Sequence, residues 1–246
     1  MVIGQDPELE QLRAAGVVVR DAMAAMADAC EPGVTTLQLD DVGRAVAEAA
    51  GARSAPQLTY DFPGFSCISL NDEAVHGIPG ARRIEIGDLV KIDVTVELDG
   101  YMADACITVP VPPVTPQAQR IVDVARRALD LAIARVRADK LINRIGKAIE
   151  GEVHRNGMRV LRELGGHGIG TTIHEPPRVE SWFDGRDSTR MLEGMVFTIE
   201  PIIAESTEHT ITGDDGWTIS TSDGSLSAQF EHTIVVTRGR PLILTK

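Results

Sequence analysis

The stretch LVKIDVTVELDGYMADACITV, residues 89–109, decides the fold, because it reads as two strands joined by a two-residue turn. Val, Ile and Thr crowd both arms, and Asp99-Gly100 is the dipeptide such a loop selects, since both central residues need φ > 0. That turn sets the register: Leu98 faces Tyr101, Thr95 faces Asp104 and Asp93 faces Cys106. Side chains alternate along a strand, so Asp93, Thr95 and Asp104 share one face. Asp93 and Asp104 are then diagonal neighbours, about 7–8 Å apart at the backbone. A lone Asp on a hairpin is usually solvated. Two on one face repel unless a cation lies between them, and a pair of divalent metals about 3.5–4 Å apart is the usual answer.

Upstream, residues 7–29 carry apolar side chains at helical spacing, with Asp6 as the expected cap and Pro7 in the first turn. A second helix is expected over 37–50, capped by Thr36 and stopped by Gly51. A short strand over 65–70, a turn at Asn71-Asp72 and a return strand starting at 74–76 lead into the hairpin. Downstream, the proline-rich residues 110–116 precede a helix capped by Thr115 and reaching about Ala138, then a helix over 143–156 closed by Gly157. Residues 158–164, 195–200 and 227–237 read as strands. Helix, helix, strands therefore occurs on each side of the prolines, without a residue-level repeat. The fold class expected is α+β, one domain over 1–246, with helices covering one face of a mainly antiparallel sheet.

The composition, 43% hydrophobic and 24% charged, is that of a globular enzyme. A net charge of −12 argues against a nucleic-acid binder that works through overall charge. Eleven Lys/Arg against five Asp/Glu over residues 120–162 form one basic face, which reads as a solvated helix surface more readily than as a dock for ribosomal RNA. Cys30, Cys67 and Cys106 are scattered, with no CxxC, which suits a reducing compartment. The first residues lack the basic and apolar regions of a signal peptide, and no run of about 18 apolar residues occurs, so a cytoplasmic protein without a membrane segment is expected.

Further residues carry chemistry. Gly165-Gly-His-Gly-Ile-Gly170 is glycine-rich but opens no helix, so it is no nucleotide fingerprint; its glycines are expected to bend the chain so that His167 projects into a cleft. His174 follows, before Glu175-Pro176-Pro177. Glu200 closes the apolar run 195–199 and Glu231 lies inside 228–236, where an unpaired buried acid is costly. Asp93, Asp104, Glu200 and Glu231 bring about four negative charges, which two divalent cations would neutralise. Oxygen-rich ligation with one imidazole suits Mn, Fe or Co better than a structural zinc site.

The blocks NDEAVHGIP (71–79), KIDVTVELDGYMAD (91–104), GGHGIGTTIHEPP (165–177), GMVFTIEP (194–201) and SLSAQFEHTIVV (225–236) resemble the signature blocks of type I methionine aminopeptidases, in the short bacterial form. The resemblance spans nearly the whole chain. It implies the pita-bread fold, two pseudo-symmetric αβ halves with a site for two divalent ions (Co, Mn, Fe or Zn) between them. By resemblance, Asp93 is similar to the ligand that chelates one metal, Asp104 and Glu231 to the bridging carboxylates, and His167 and Glu200 to the ligands of the other metal. His76 and His174 are similar to the two histidines that touch substrate. Phe62, Cys67, Ile173 and Trp217 fall where the family lines its methionine pocket, Ile173 standing where relatives often carry an aromatic and Thr59 where a tyrosine is common.

The implied activity is removal of the N-terminal methionine from nascent proteins when the second residue is small, by a metal-bridging hydroxide, with Glu200 moving the proton and His174 facing the oxyanion. Nascent N-termini are the implied partners, the ribosome a candidate dock, and a monomer suffices. Two other readings exist: a prolidase or aminopeptidase P relative, which usually carries a further N-terminal domain, and a non-catalytic module on the same fold, which loses metal ligands.

Overall fold

In the computed structural model, which describes residues 1–246, the first half runs α1 (Asp6–Ala29), α2 (Thr36–Ala49), β1 (Arg53–Ser54), α3 (Ala55–Tyr60), β2 (Cys67–Leu70), β3 (Glu73–Val75), β4 (Leu89–Leu98) and β5 (Tyr101–Pro110). The second half opens with α4 (Pro116–Ile133), α5 (Asn143–Arg155), β6 (Arg159–Val160), β7 (Gly165–Gly168) and β8 (Glu175–Glu180). It closes with β9 (Val196–Ile199), β10 (Ile202–Ala204), β11 (Thr210–Thr212), β12 (Ile219–Thr221), β13 (Ser227–Gln229), β14 (His232–Val235) and β15 (Leu242–Ile243).

The hairpin of β4 and β5 takes the register its turn dictates: Leu98 pairs with Tyr101, Thr95 with Asp104 and Asp93 with Cys106. Asp99 and Gly100 both have positive φ, 50° and 87°. β1 and β2 share the other edge of β4, one at each end. α1 and α2 lie over this sheet, and their apolar faces close one core with Ile68, Ile92 and Val94. α4 and α5 close a second core with Phe197, Ile203 and Ile234. The sheet of β4 and β5 buries one face under α1 and α2, the sheets holding β9 and β10 share α4 and α5, and the small sheet of β3, β11 and β12 packs in a separate core with Leu161 and Ile202.

Helix ends depart from expectation where two capping candidates compete. Thr35, not Thr36, caps α2: its Oγ accepts from Gln38 N–H at 3.1 Å and Gln38 Oε1 accepts from Thr35 N–H at 2.9 Å. The reciprocal box needs Gln or Glu three residues on, which Thr35 has and Thr36 lacks. Gln5 caps α1 in place of Asp6, with Glu8 Oε2 accepting from the Gly4 and Gln5 N–H groups. α4 stops at Ile133 rather than Ala138, because the Ala138 and Asp139 N–H groups bond instead to the Thr237 and Met191 carbonyls at 2.9 Å.

Strand boundaries shift as well. Residues 227–237 form two strands in different sheets rather than one, and 158–164 yields only β6. The return strand β3 pairs with β12 of the second half, not with β2. The basic face is neutralised in part: Glu152 pairs with Arg127 and Arg155, and Arg162 with Glu150 and Glu208. No helix is long and apolar enough to cross a membrane.

Candidate active site

Two breaks in the strands build the site. Pro201 separates β9, in the sheet ordered β15-β14-β9-β7-β8, from β10, in the sheet ordered β13-β10-β6. Phe230-Glu231 likewise separates β13 from β14, so one pair of chain segments crosses from sheet to sheet at the same level. Glu200 and Glu231 stand at these elbows, where a side chain can point into the seam between the layers. The expectation of Glu231 inside a continuous strand is thus corrected: it occupies the break itself.

The first half is clasped to these elbows by side chains that complete backbone hydrogen bonding. Glu231 N–H donates to the Cys106 carbonyl at 2.8 Å. Thr233 Oγ accepts from Asp104 N–H at 2.9 Å and donates to the Asp104 carbonyl at 2.8 Å, while Thr108 Oγ does the same for Gln229. The face of β4 and β5 that carries Asp93, Thr95 and Asp104 is thereby turned onto Glu200 and Glu231.

The result is a cavity of about 700 Å³ whose wall includes Asp93, Asp104, His167, Glu200 and Glu231. Asp104, His167 and Glu231 each offer a ligand atom within 4.8 Å of the others. His167 Nε2 lies 3.8 Å from Asp104 Oδ2 and 3.7 Å from Glu200 Oε1. Thr198 Oγ donates to Glu200 Oε1 at 3.0 Å, and Gln229 Nε2 reaches Glu231 Oε2 at 3.4 Å. Burial pushes all four carboxyls well above the ordinary carboxylate range; mutual repulsion adds to this at Asp104, Glu200 and Glu231. Burial holds the His167 imidazole down at about 3.

Asp104 Oδ1 and Glu231 Oε1 are buried without any hydrogen-bond donor. An anionic oxygen so placed costs several kcal/mol unless a cation meets it. Four converging carboxylates and one neutral imidazole, with no Lys or Arg among them, are a donor set for divalent metal, and these residues fit one.

The same cavity is lined by His76 and His174, and by Phe62, Cys67, Ile173 and Trp217. Phe62 and Trp217 pack edge to face, with centroids 5.2 Å apart. His76 sits in the left-handed region at φ 58°, followed by Gly77. Burial lowers the pKa of both His76 and His174. Thr59, by contrast, is exposed and outside the cavity. The neighbouring Tyr60, which sequence reasoning passed over, lines it and meets His174 Nδ1 at 2.6 Å.

The glycine run does not bend the chain. Gly165–Gly168 is the extended strand β7, and none of its glycines has positive φ. Its glycines allow close approach instead: a Cβ on Gly166 would stand 2.4 Å from the Thr198 carbonyl oxygen, and one on Gly168 would stand 2.3 Å from that of Pro176. His167, between them, donates its backbone N–H to Thr198 Oγ at 3.1 Å, which links it to the Glu200 carboxylate. Gly166→Ala is therefore expected to force β7 from β9 and cost about 1–3 kcal/mol in urea unfolding, with a loss of metal affinity seen by calorimetry.

Comparison with known proteins bears on this geometry. The model of metallopeptidase family M24 matches residues 10–238. The chain belongs to that family. Methionine aminopeptidase 2 of Bacillus subtilis is 40% identical over 248 residues, covering all of both chains, and the methionine aminopeptidase of Aquifex aeolicus is 37% identical, covering 97% of this chain and 96% of that one. The crystal structure of methionine aminopeptidase from Rickettsia prowazekii superposes with a TM-score of 0.95 at 36% identity over the full length of both chains. The fold is accordingly the pita-bread fold of the M24 family. A prolidase from Pyrococcus furiosus shares this fold at a TM-score of 0.80 and 23% identity, and this chain covers 65% of it.

Proposed function

We propose that this M24 protein is a metal-dependent methionine aminopeptidase, removing the first methionine of nascent chains whose second residue is small. The observation that carries the reading is the convergence of Asp93, Asp104, His167, Glu200 and Glu231, from both halves, on one buried cavity whose adjoining wall is apolar and aromatic. Full-length relatives at 37–40% identity carry the name methionine aminopeptidase, which favours this reading over the prolidase one. The presence of all five side chains counts against a non-catalytic module.

Those five residues would hold two divalent ions, whose chemistry when bound is Lewis acidity toward the scissile carbonyl and a water acidified toward neutrality. Glu200, held by Thr198, takes the water proton and returns it to the leaving amine. His174 donates to the oxyanion that develops on the scissile carbonyl. His76 contacts the scissile nitrogen. Phe62, Cys67, Ile173 and Trp217 seat the methionine side chain; Cys67 stays a thiol, since burial and the nearby carboxylates raise its pKa. The protein acts as a cytoplasmic monomer of one catalytic domain, and any ribosome contact falls on the cationic groove of Arg135, Arg144 and Lys147.

The test is methionine release from Met-Ala-Ser by chelator-treated protein given Co, Mn, Fe or Zn. Release is expected with metal and not without it, falling at least tenfold for Met-Leu-Ser, because Leu adds three carbons to Ala and even one extra methylene against a pocket wall is worth about 1–3 kcal/mol. An enzyme that releases no methionine with any of the four metals, or that prefers an X-Pro peptide, overturns the reading.

A further inference from the structure

We propose that Tyr60 is a positioning residue that fixes the tautomer of His174, so that the imidazole meets substrate with its Nε2 hydrogen; this rests on the aminopeptidase reading. Tyr60 is the last residue of α3, and Asp61 behind it takes the left-handed conformation at φ 55°, turning the chain so that Tyr60 and Phe62 both reach the cavity. α3 is itself pinned by its cap: Ser54 Oγ accepts from Gln57 N–H at 3.3 Å and donates to the Phe65 carbonyl at 2.7 Å. The phenol therefore arrives on a supported segment of the first half. His174 arrives from the β7–β8 connection of the second half, and the two meet at 2.6 Å, Oη to Nδ1.

The direction of that bond follows from the groups. A phenolic oxygen gives lone-pair density to its ring and accepts poorly, whereas its O–H is a good donor and an unprotonated imidazole nitrogen a strong acceptor. The phenol keeps its proton at neutral pH, its ordinary pKa of about 10 being raised further by burial. Tyr60 thus donates to Nδ1. A neutral imidazole with Nδ1 as acceptor carries its one hydrogen on Nε2.

His174 makes no other side-chain hydrogen bond, so nothing else in the protein chooses between its tautomers. The ring also stacks obliquely on His167, centroids 4.1 Å apart, which restrains its plane and leaves the hydrogen as the free variable. The wrong tautomer would turn a lone pair toward the developing oxyanion. The logic is that of any histidine held by a third group: the orienting partner contributes through which nitrogen is protonated.

The experiment compares wild type with Tyr60→Phe, both zinc-loaded and labelled with 15N-histidine, the His174 signals being those lost in His174→Asn. Wild type is expected to show Nε2 protonated and Nδ1 bare and hydrogen-bonded, and Tyr60→Phe a mixture of both tautomers. In parallel, kcat on Met-Ala-Ser is expected to fall roughly 10–100-fold, the usual loss when an outer hydrogen-bond partner is removed, with KM within about twofold. Thermal unfolding of the partly exposed Tyr60→Phe variant should match wild type, so the loss is not one of folding. A wild-type ring protonated on Nδ1, or ring shifts unchanged in Tyr60→Phe, overturns the proposal whatever the activity. The ring shifts need no turnover: if wild type released no methionine, the aminopeptidase reading would fall while the spectra still decided what Tyr60 does.

Discussion

Glu200→Gln is expected to lower kcat on Met-Ala-Ser by roughly 10²–10⁴-fold, the range by which positioned acid–base groups contribute. The amide keeps the size of the carboxylate and can still accept from Thr198 Oγ, which donates at 3.0 Å in the native protein. What it loses is the capacity to take a proton and give it back. Stability should move the opposite way. Glu200 is buried, with its carboxyl pushed upward by desolvation and by the charge of Asp93, so removing its charge relieves repulsion in the metal-free protein. The metal-free variant should therefore melt no lower than metal-free wild type in calorimetry, while metal content, measured by mass spectrometry, falls. Activity within about threefold of wild type at equal metal loading would remove Glu200 from the proton path.

The features readable from sequence were those set by local rules. The Asp99-Gly100 turn fixes a register, the register fixes which residues share a face, and so Asp93 and Asp104 could be placed together from two dozen residues. Glu200 and Glu231 were visible as acids at or inside apolar runs. What escaped was decided by neighbours distant in sequence. Nothing near Phe230-Glu231 marks a break; the strand parts there because β13 and β14 pair with different sheets. The glycines around His167 read as bends because a glycine needed for close approach looks the same in sequence until the neighbouring strand is known. α3 has only six residues, too few for periodicity to show which of its side chains face the cavity, so nothing in the sequence marks Tyr60. Lys91 would pass for a solvated charge, yet it is fully buried and donates to the Asn71 carbonyl at 2.7 Å and to Ser227 Oγ at 3.1 Å.

Metal removal is the second large effect, and its size depends on pH. The carboxyls of Asp93, Asp104, Glu200 and Glu231 all have folded-state pKa values raised above the unfolded value of about 4, with desolvation the first cause in each case. For a raised acid, the folded state holds protons that the unfolded state has released. Stability is then fully present below about pH 4 and lost as pH rises through the folded values. The four acids accordingly contribute a loss of stability from about pH 4 up through neutrality, set against a gain, as pH rises to about 6.5, from His76, His167, His174 and His232, whose folded pKa values burial lowers. Divalent ions reverse the trend by binding the deprotonated carboxylates, and His167, held neutral by burial, presents its lone pair across the whole of that range. At neutral pH and free metal about 100-fold above Kd, mass action supplies about 2.7 kcal/mol. That raises the melting temperature by roughly 5–11 °C for a chain of this length. The increment should shrink toward zero as pH falls to about 4, where protons compete for the same oxygens. A metal increment independent of pH between about 4 and 7 would mean that the four acids do not share one buried, cation-seeking cavity.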